Sequence, residues 1–258
     1  MYLMEALLMH KNIGRLKEDE FVFALNNKRA GDLSHNMKHV LREMFGFFEE
    51  DDIVKCGLVD HYQKPDFYIE FKGQKKYVSL KSGSSTVVGE EGLKQFLGFL
   101  REWNLSVEGQ KTLLYYHFGD GTMDGSGTKR ISYVELRQKL GTRIADLNKE
   151  LNGNKDFVKE VISRCLFKGT QENNIEADYI YHGDVNYGVV CSKDQIFKHV
   201  DRRSWDYMDN LHIGPIQFRP HARYTNTEII REERRWKVDF WWARLSADLD
   251  YIAERYDG

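Results

Sequence analysis

The stretch Lys64 to Lys81 constrains the fold more than any other part of the chain, because its pattern commits it to two short strands joined by a tight turn. On the first arm Phe67, Ile69 and Phe71 alternate with Asp66, Tyr68 and Glu70; on the second Val78 and Leu80 alternate with Tyr77, Ser79 and Lys81. A period of two gives each strand one apolar and one polar face. Gly73-Gln74 stands between the arms, and glycine at the first central position suits a two-residue type II′ turn. That turn predicts a register in which Lys72 faces Lys75, Glu70 faces Tyr77, Tyr68 faces Ser79 and Asp66 faces Lys81. Opposed residues have Cβ atoms about 4.5–5.5 Å apart, so a carboxylate and an ammonium are expected to meet on the polar face. By default such a pair is a solvated salt bridge worth under about 1 kcal/mol.

Pro65-Asp66 followed on the next strand by Ser79-x-Lys81 resembles the motif of the PD-(D/E)XK nuclease superfamily, which includes many type II restriction endonucleases. One position departs from it: Ser79 stands where the family usually has an acid. The resemblance implies an α/β fold with a restriction-endonuclease-like core, a mixed β-sheet flanked by helices, followed here by a C-terminal α+β extension. It implies that Asp66 holds Mg²⁺, or Mn²⁺ in its place, and that Lys81 orients or activates the attacking water. Family members with Ser at this position take the missing acid from elsewhere, which leaves Glu90, Glu91, Glu20 and Glu18 as candidates. Glu70 shares the strand face of Asp66 but lies two pairs away, some 13 Å along at ~3.3 Å per residue, far for one metal. Gln95 and Phe99 resemble the Gln-x-x-x-aromatic feature that follows the lysine in some branches. By order of elements the resemblance covers roughly residues 15–118.

Along the chain, a helix is expected from Glu18 to Lys28 and a second, capped by Asp32 or Ser34, up to Gly46. The acids of the first are also explained as ordinary helix-start residues. Ile53 to Val59 reads as a strand before the hairpin. After the turn-rich Ser82-Gly83-Ser84-Ser85-Thr86, a helix is expected from Glu90 through Trp103, and a buried strand at Lys111 to His117. Gly119 to Gly127 is the clearest loop and sets the expected boundary between a core, 1–128, and an extension, 129–258, for DNA recognition or dimerisation. Its Asp120 and Asp124 lack the pattern of a calcium loop. Ser132-x-x-Glu135 is a capping box opening a helix through Leu136, Leu140, Ile144 and Leu147. A helix over Asp156 to Leu166, a hairpin of Ala177–Tyr181 and Tyr187–Cys191, a short helix to His199, two aromatic-rich strands and a final helix from Ala243 complete the reading.

Composition narrows the class. A net charge of −2, from 38 basic and 40 acidic residues, gives no global attraction to nucleic acid, so any DNA surface must come from segregated charge. Cys56, Cys165 and Cys191 show no zinc or redox spacing, and a reducing cytoplasm is the simplest compartment. No stretch of ~18 apolar residues predicts a membrane span, and no GxxxxGK[ST] motif implies a nucleoside triphosphate. Double-stranded DNA and a second copy of the chain are the expected partners. Candidate DNA contacts are Ser82, Ser84, Arg202, Arg203, Arg219, His221, Arg223, Arg234 and Arg235, with Arg231 beside them. Glutamates interleave with the later arginines, so ordinary ion pairs are the competing reading. The expected activity is Mg²⁺-dependent hydrolysis of DNA phosphodiesters by an endonuclease; the rival is a binding module of the same fold that lost its metal acid at Ser79.

Overall fold

The computed structural model describes residues 13–60, 63–82, 87–127, 130–171, 174–205, 210–220 and 232–256. The first helix, α1 (Ile13–Leu25), is followed by a two-residue strand, β1 (Lys28–Arg29). In α2 (His35–Phe45) the Ser34 hydroxyl accepts the Met37 N–H and Gly46 ends the helix. Strands β2 (Ile53–Leu58), β3 (Phe67–Phe71) and β4 (Gln74–Lys81) come next, and β5 (Val87–Gly92) runs straight into α3 (Leu93–Glu102). Then come α4 (Val107–Phe118), α5 (Tyr133–Leu140), α6 (Arg143–Asn152) and α7 (Lys155–Ser163), capped at their starts or divided by Ser106, Ser132, Gly141 and Asn154. Past α7 one wide helical turn, Arg164–Lys168, leads to β6 (Tyr179–Gly183), β7 (Gly188–Ser192) and α8 (Lys193–Arg202). The chain closes with β8 (His212–Ile213), β9 (Ile216–Pro220), the short α9 (Glu232–Arg235), β10 (Lys237–Trp241) and α10 (Leu245–Tyr256).

These elements form two compact units, each discontinuous in sequence. The first takes its described residues from 1–85, 166–199 and 244–258; the second from 86–165 and 200–243.

The first unit is built on a six-stranded sheet in the order β1-β2-β3-β4-β6-β7. All neighbours are antiparallel except β4 and β6, which are parallel. The sheet is thus mixed. Phe21 and Leu25 of α1 and Met37, Val40, Leu41 and Met44 of α2 bury themselves against Phe67, Ile69, Phe71, Val78 and Tyr181 on one face. On the other, Ile180 and Cys191 are buried, and the Cys191 thiol donates to the Leu249 carbonyl of α10 at 3.5 Å. The alternation read from the sequence is what lets β3 serve a core with one face and a polar site with the other. The second unit has its own antiparallel sheet, β5-β10-β9-β8, packed on aromatic side chains such as Phe96, whose ring lies 4.9 Å from Phe240 and 5.8 Å from Phe218.

Four local expectations are corrected. The hairpin turns on Lys72-Gly73 rather than Gly73-Gln74; both have positive φ, 50° and 74°, which is a type I′ turn. Moving the turn by one residue moves the pairing by two, so faces are kept but partners change: Glu70 pairs with Lys75 and Tyr68 with Tyr77. The predicted register set Lys72 against Lys75, whereas this one sets an acid against a base and puts Lys75 Nζ 4.0 Å from the Tyr68 ring centre.

Second, Lys111 to His117 is helical within α4, because Ser106 caps it on the Gly109 N–H and Gly119 closes it in a left-handed conformation. The strand expected there beside the hairpin is supplied by β6, far along the chain. Third, Glu90 and Glu91 sit in β5, paired with Asp239 and Val238 of β10, and α3 starts only at Leu93. Fourth, Gly141 breaks the helix opened by Ser132 into α5 and α6.

Candidate active site

Asp66 sits at the start of β3, at the end of the sheet where β4 finishes. Its N–H donates to the Val78 carbonyl at 2.9 Å, and one carboxylate oxygen accepts the Leu80 N–H at 2.5 Å. Continuing the register of the hairpin by one step places Ser79, not Lys81, opposite Asp66. Lys81 is two residues further on the same face and remains an electrostatic neighbour. Burial raises the Asp66 carboxyl pKa above its ordinary range; the Lys81 charge and the Leu80 hydrogen bond oppose that rise without cancelling it. Ser79 is 1% exposed. Its hydroxyl lies close enough to Asp66 to oppose the same rise, but short of normal hydrogen-bond geometry with any partner among the described residues.

A second carboxylate comes to this end from α1, and it is Glu18. Its pKa is raised, first by burial and next by the negative charge of Asp66, while Arg15, 2.9 Å away, pulls it down. The sheet core explains the placement: Phe21 of α1 stacks on Phe67 at 5.2 Å, and three residues before Phe21 the helix carries Glu18 toward the residue before Phe67. Glu20 points elsewhere, half-exposed and paired with Lys17 at 2.9 Å.

The remaining candidates divide clearly. Glu70 bridges to Lys55 on β2 at 3.1 Å. Glu90 pairs with Lys237, and Glu91 is forked by Arg164 at 2.8 and 3.2 Å, both within the second unit. Gln95 is exposed on α3, and Ser82 is half-buried just beyond β4. In the second unit Arg202, Arg203 and Arg234 are exposed; Arg203 covers the Trp205 ring at 4.8 Å and Arg219 covers Trp241 at 4.1 Å. Arg235 is structural, donating to the Gly125 carbonyl and lying 4.0 Å from Asp120. Ser84, His221, Arg223 and Arg231 lie outside the described residues.

One neighbour was missed from the sequence. His182 of β6 is the register partner of Lys81 in the parallel pair, so its side chain leaves the same face of the sheet. It is half-buried. Only the long-range pairing of β4 with β6 reveals it, and no local pattern carries that information.

Does this set of donors suit a divalent cation? Among the described residues no cluster of three or more His, Cys, Asp or Glu side chains occurs. Mg²⁺, however, keeps several waters and takes one or two carboxylates from the protein, which Asp66 and Glu18 can supply. Burial raises both carboxyl pKa values and the Asp66 charge raises that of Glu18 further, a load of negative charge that a cation would relieve. The residues present fit the ion.

The fold is that of a mixed α/β protein, and at one end of its first sheet the start of β3 brings Asp66 beside the end of β4 with Lys81. No protein-family model matches the chain and no curated protein matches it. Among solved structures, the restriction endonuclease MspI, in complex with its cognate DNA, is similar with a TM-score of 0.47 and 13% sequence identity over 79% of this chain and 76% of that one. Among the described residues no helix is long and apolar enough to cross a membrane.

Proposed function

We propose that the chain is a metal-dependent DNA endonuclease of the PD-(D/E)XK type, probed best as a phosphodiesterase that cuts double-stranded DNA. The observation that supports it is the convergence of Asp66, Glu18 and Lys81 at one end of the mixed sheet, with Ser79 at the acid position. In this reading Asp66 and Glu18 hold Mg²⁺ or Mn²⁺, Glu18 taking the place of the acid that Ser79 lacks. When bound, the ion polarises the phosphoryl oxygen and lowers the pKa of coordinated water. Lys81 orients the attacking water and offsets charge that builds on the phosphate. The Leu80 N–H holds one oxygen of Asp66. The exposed arginines Arg202, Arg203 and Arg234 are proposed to engage DNA phosphates, and a homodimer is proposed as the working form.

Purified protein incubated with supercoiled plasmid in Mg²⁺, in Mn²⁺ and in chelator tests this reading. Metal-dependent nicked or linear product is expected. Intact plasmid in all three, across unmodified DNA of varied sequence, would overturn it in favour of a binding module.

The carboxylates carry a second expectation, read without DNA. Both have folded-state pKa values above their unfolded ones, so each binds protons more readily in the folded protein. Their charged forms are therefore a liability at neutral pH, and that liability is relieved as pH falls through the raised pKa values. In chelator Asp66→Asn is expected to melt higher than the parent at pH 7, and that difference should shrink as pH falls through the raised Asp66 pKa. Divalent cation at about ten times its Kd should stabilise the parent by about 1.4 kcal/mol, a few degrees for a chain of this size. Asp66→Asn should lose that increment. A variant still stabilised by the cation places the ion elsewhere.

A further inference from the structure

We propose that Arg15 stands in for the cation in the metal-free protein, holding Glu18 until a divalent ion takes that carboxylate from it. The inference rests on the reading of Asp66 and Glu18 as the metal carboxylates. Arg15 and Glu18 lie three residues apart on α1, and their contact is one nitrogen on one oxygen, Arg15 Nη1 to Glu18 Oε2 at 2.9 Å. The buried pair in the second unit is made differently. There Arg164 puts Nε and Nη2 on both oxygens of Glu91, and the two side chains are 13% and 2% exposed. Arg15 is 38% exposed, and among the described residues Glu18 is its one hydrogen-bond or ion-pair partner. A single-point i,i+3 pair open to water is weak, so the guanidinium can turn into solvent at small cost.

The electrostatics favour the exchange. Burial and then the Asp66 charge raise the Glu18 pKa, and the charge and hydrogen bond of Arg15 oppose that rise without cancelling it. Glu18 is therefore left short of positive charge by the partner it has, and a divalent ion brings twice as much. Lys81 and Lys64 act on Asp66 by charge, whereas Arg15 occupies an oxygen of Glu18 directly. A cation binding there meets all three as like charges, and Arg15 is the one whose contact it has to replace. Until then the pair keeps a partly buried carboxylate from facing Asp66 with no cation of its own. A ligand's apparent affinity falls by the fraction of molecules able to take it, so the Arg15–Glu18 pair tunes how readily the site fills.

The test is cation affinity without DNA, read from the rise in melting temperature of the full chain as Mg²⁺ or Mn²⁺ is added. Arg15→Gln is expected to bind either ion about fivefold more tightly, the equilibrium factor of an exposed pair at the upper end of its range. Lys17→Gln removes the same charge from the same helix, but from the pair with Glu20, and should bind as the parent does. In a Glu18→Gln background Arg15→Gln should leave the affinity within twofold, because no pair remains to be given up. Affinity unchanged within twofold in Arg15→Gln alone overturns the inference, since the ion then does not compete for the carboxylate. Weaker binding overturns it the other way, making Arg15 a residue that positions Glu18 for the ion. A fivefold gain that persists with Glu18→Gln shows repulsion through space without exchange, and also overturns it. None of these three results touches the nuclease reading. That reading fails together with the inference only if the parent binds no divalent cation or Asp66→Asn binds it as well as the parent.

Discussion

Lys81→Ala is expected to slow Mg²⁺-dependent plasmid cleavage by a factor of about a hundred or more while leaving metal binding in place. A group that positions water or meets charge on the phosphate contributes about 10²–10⁴ in rate, and Lys81 is the cation that opposes the raised Asp66 pKa most strongly, ahead of Lys64. Its side chain is half-buried at the C-terminal end of β4 and is not one of the core residues of the first unit. The melting temperature should therefore change little. Removing the ammonium that acts on Asp66 leaves that carboxylate less compensated, so the Asp66 pKa should rise further and a divalent cation should still stabilise the variant. That combination, lost turnover with retained thermal response to Mg²⁺, separates Lys81 from Asp66, whose Asn variant is expected to lose both. Initial rates of supercoiled-to-linear conversion beside melts in Mg²⁺ and chelator give both readouts. A Lys81→Ala protein that cuts within a fewfold of the parent removes Lys81 from the mechanism.

The parts of this site legible in the sequence are those carried by local pattern. Alternation of Phe67, Ile69 and Phe71 with Asp66, Tyr68 and Glu70 needs only a period of two, and it placed the polar face correctly even though the turn was set one residue late. Parity survives a two-residue slip of register; the identity of the facing pair does not. Hence Asp66 and Lys81 were brought to one face from the sequence, but the residue opposite Asp66 was not. Which of Glu18 and Glu20 comes near Asp66 was beyond local reading: the sequence placed both in the first turn of a helix starting at Glu18, whereas α1 starts at Ile13 and carries both in its middle. The stacking of Phe21 on Phe67 decides it, and that is a tertiary contact. His182 was invisible for the same reason, since its pairing with Lys81 closes across a separation that includes most of the second unit. Lys111 to His117 misled because a short apolar run fits a buried strand and a buried helix face equally well. Its length with the flanking Ser106 and Gly119 caps would have favoured the helix.

Glu91 is where reading by sequence position and reading by structure give opposite predictions. As a metal acid, as its place just after the hairpin suggests, its loss would spare stability and abolish the response to Mg²⁺. In the structure it is a buried half of an ion pair: Arg164 forks its carboxylate at 2.8 and 3.2 Å, and the same guanidinium covers the Phe99 ring at 4.7 Å. Burial raises the Glu91 pKa and Arg164 opposes the rise, the balance expected of a desolvated carboxylate with one strong partner. Glu91→Ala would leave the Arg164 charge with its side chain only 13% exposed and its carboxylate partner gone. Breaking such a pair from one side costs about 3–5 kcal/mol. A melt that follows the second unit should therefore fall by roughly 6–20 °C, at 2–4 °C per kcal/mol. Replacing both partners with apolar residues, Glu91→Leu with Arg164→Met, should recover most of the loss, because no charge is then left buried. The thermal increment from Mg²⁺ should persist in the double variant, since Asp66 and Glu18 are untouched. A Glu91→Ala protein that melts with the parent but no longer responds to Mg²⁺ would move the metal acid from Glu18 to Glu91.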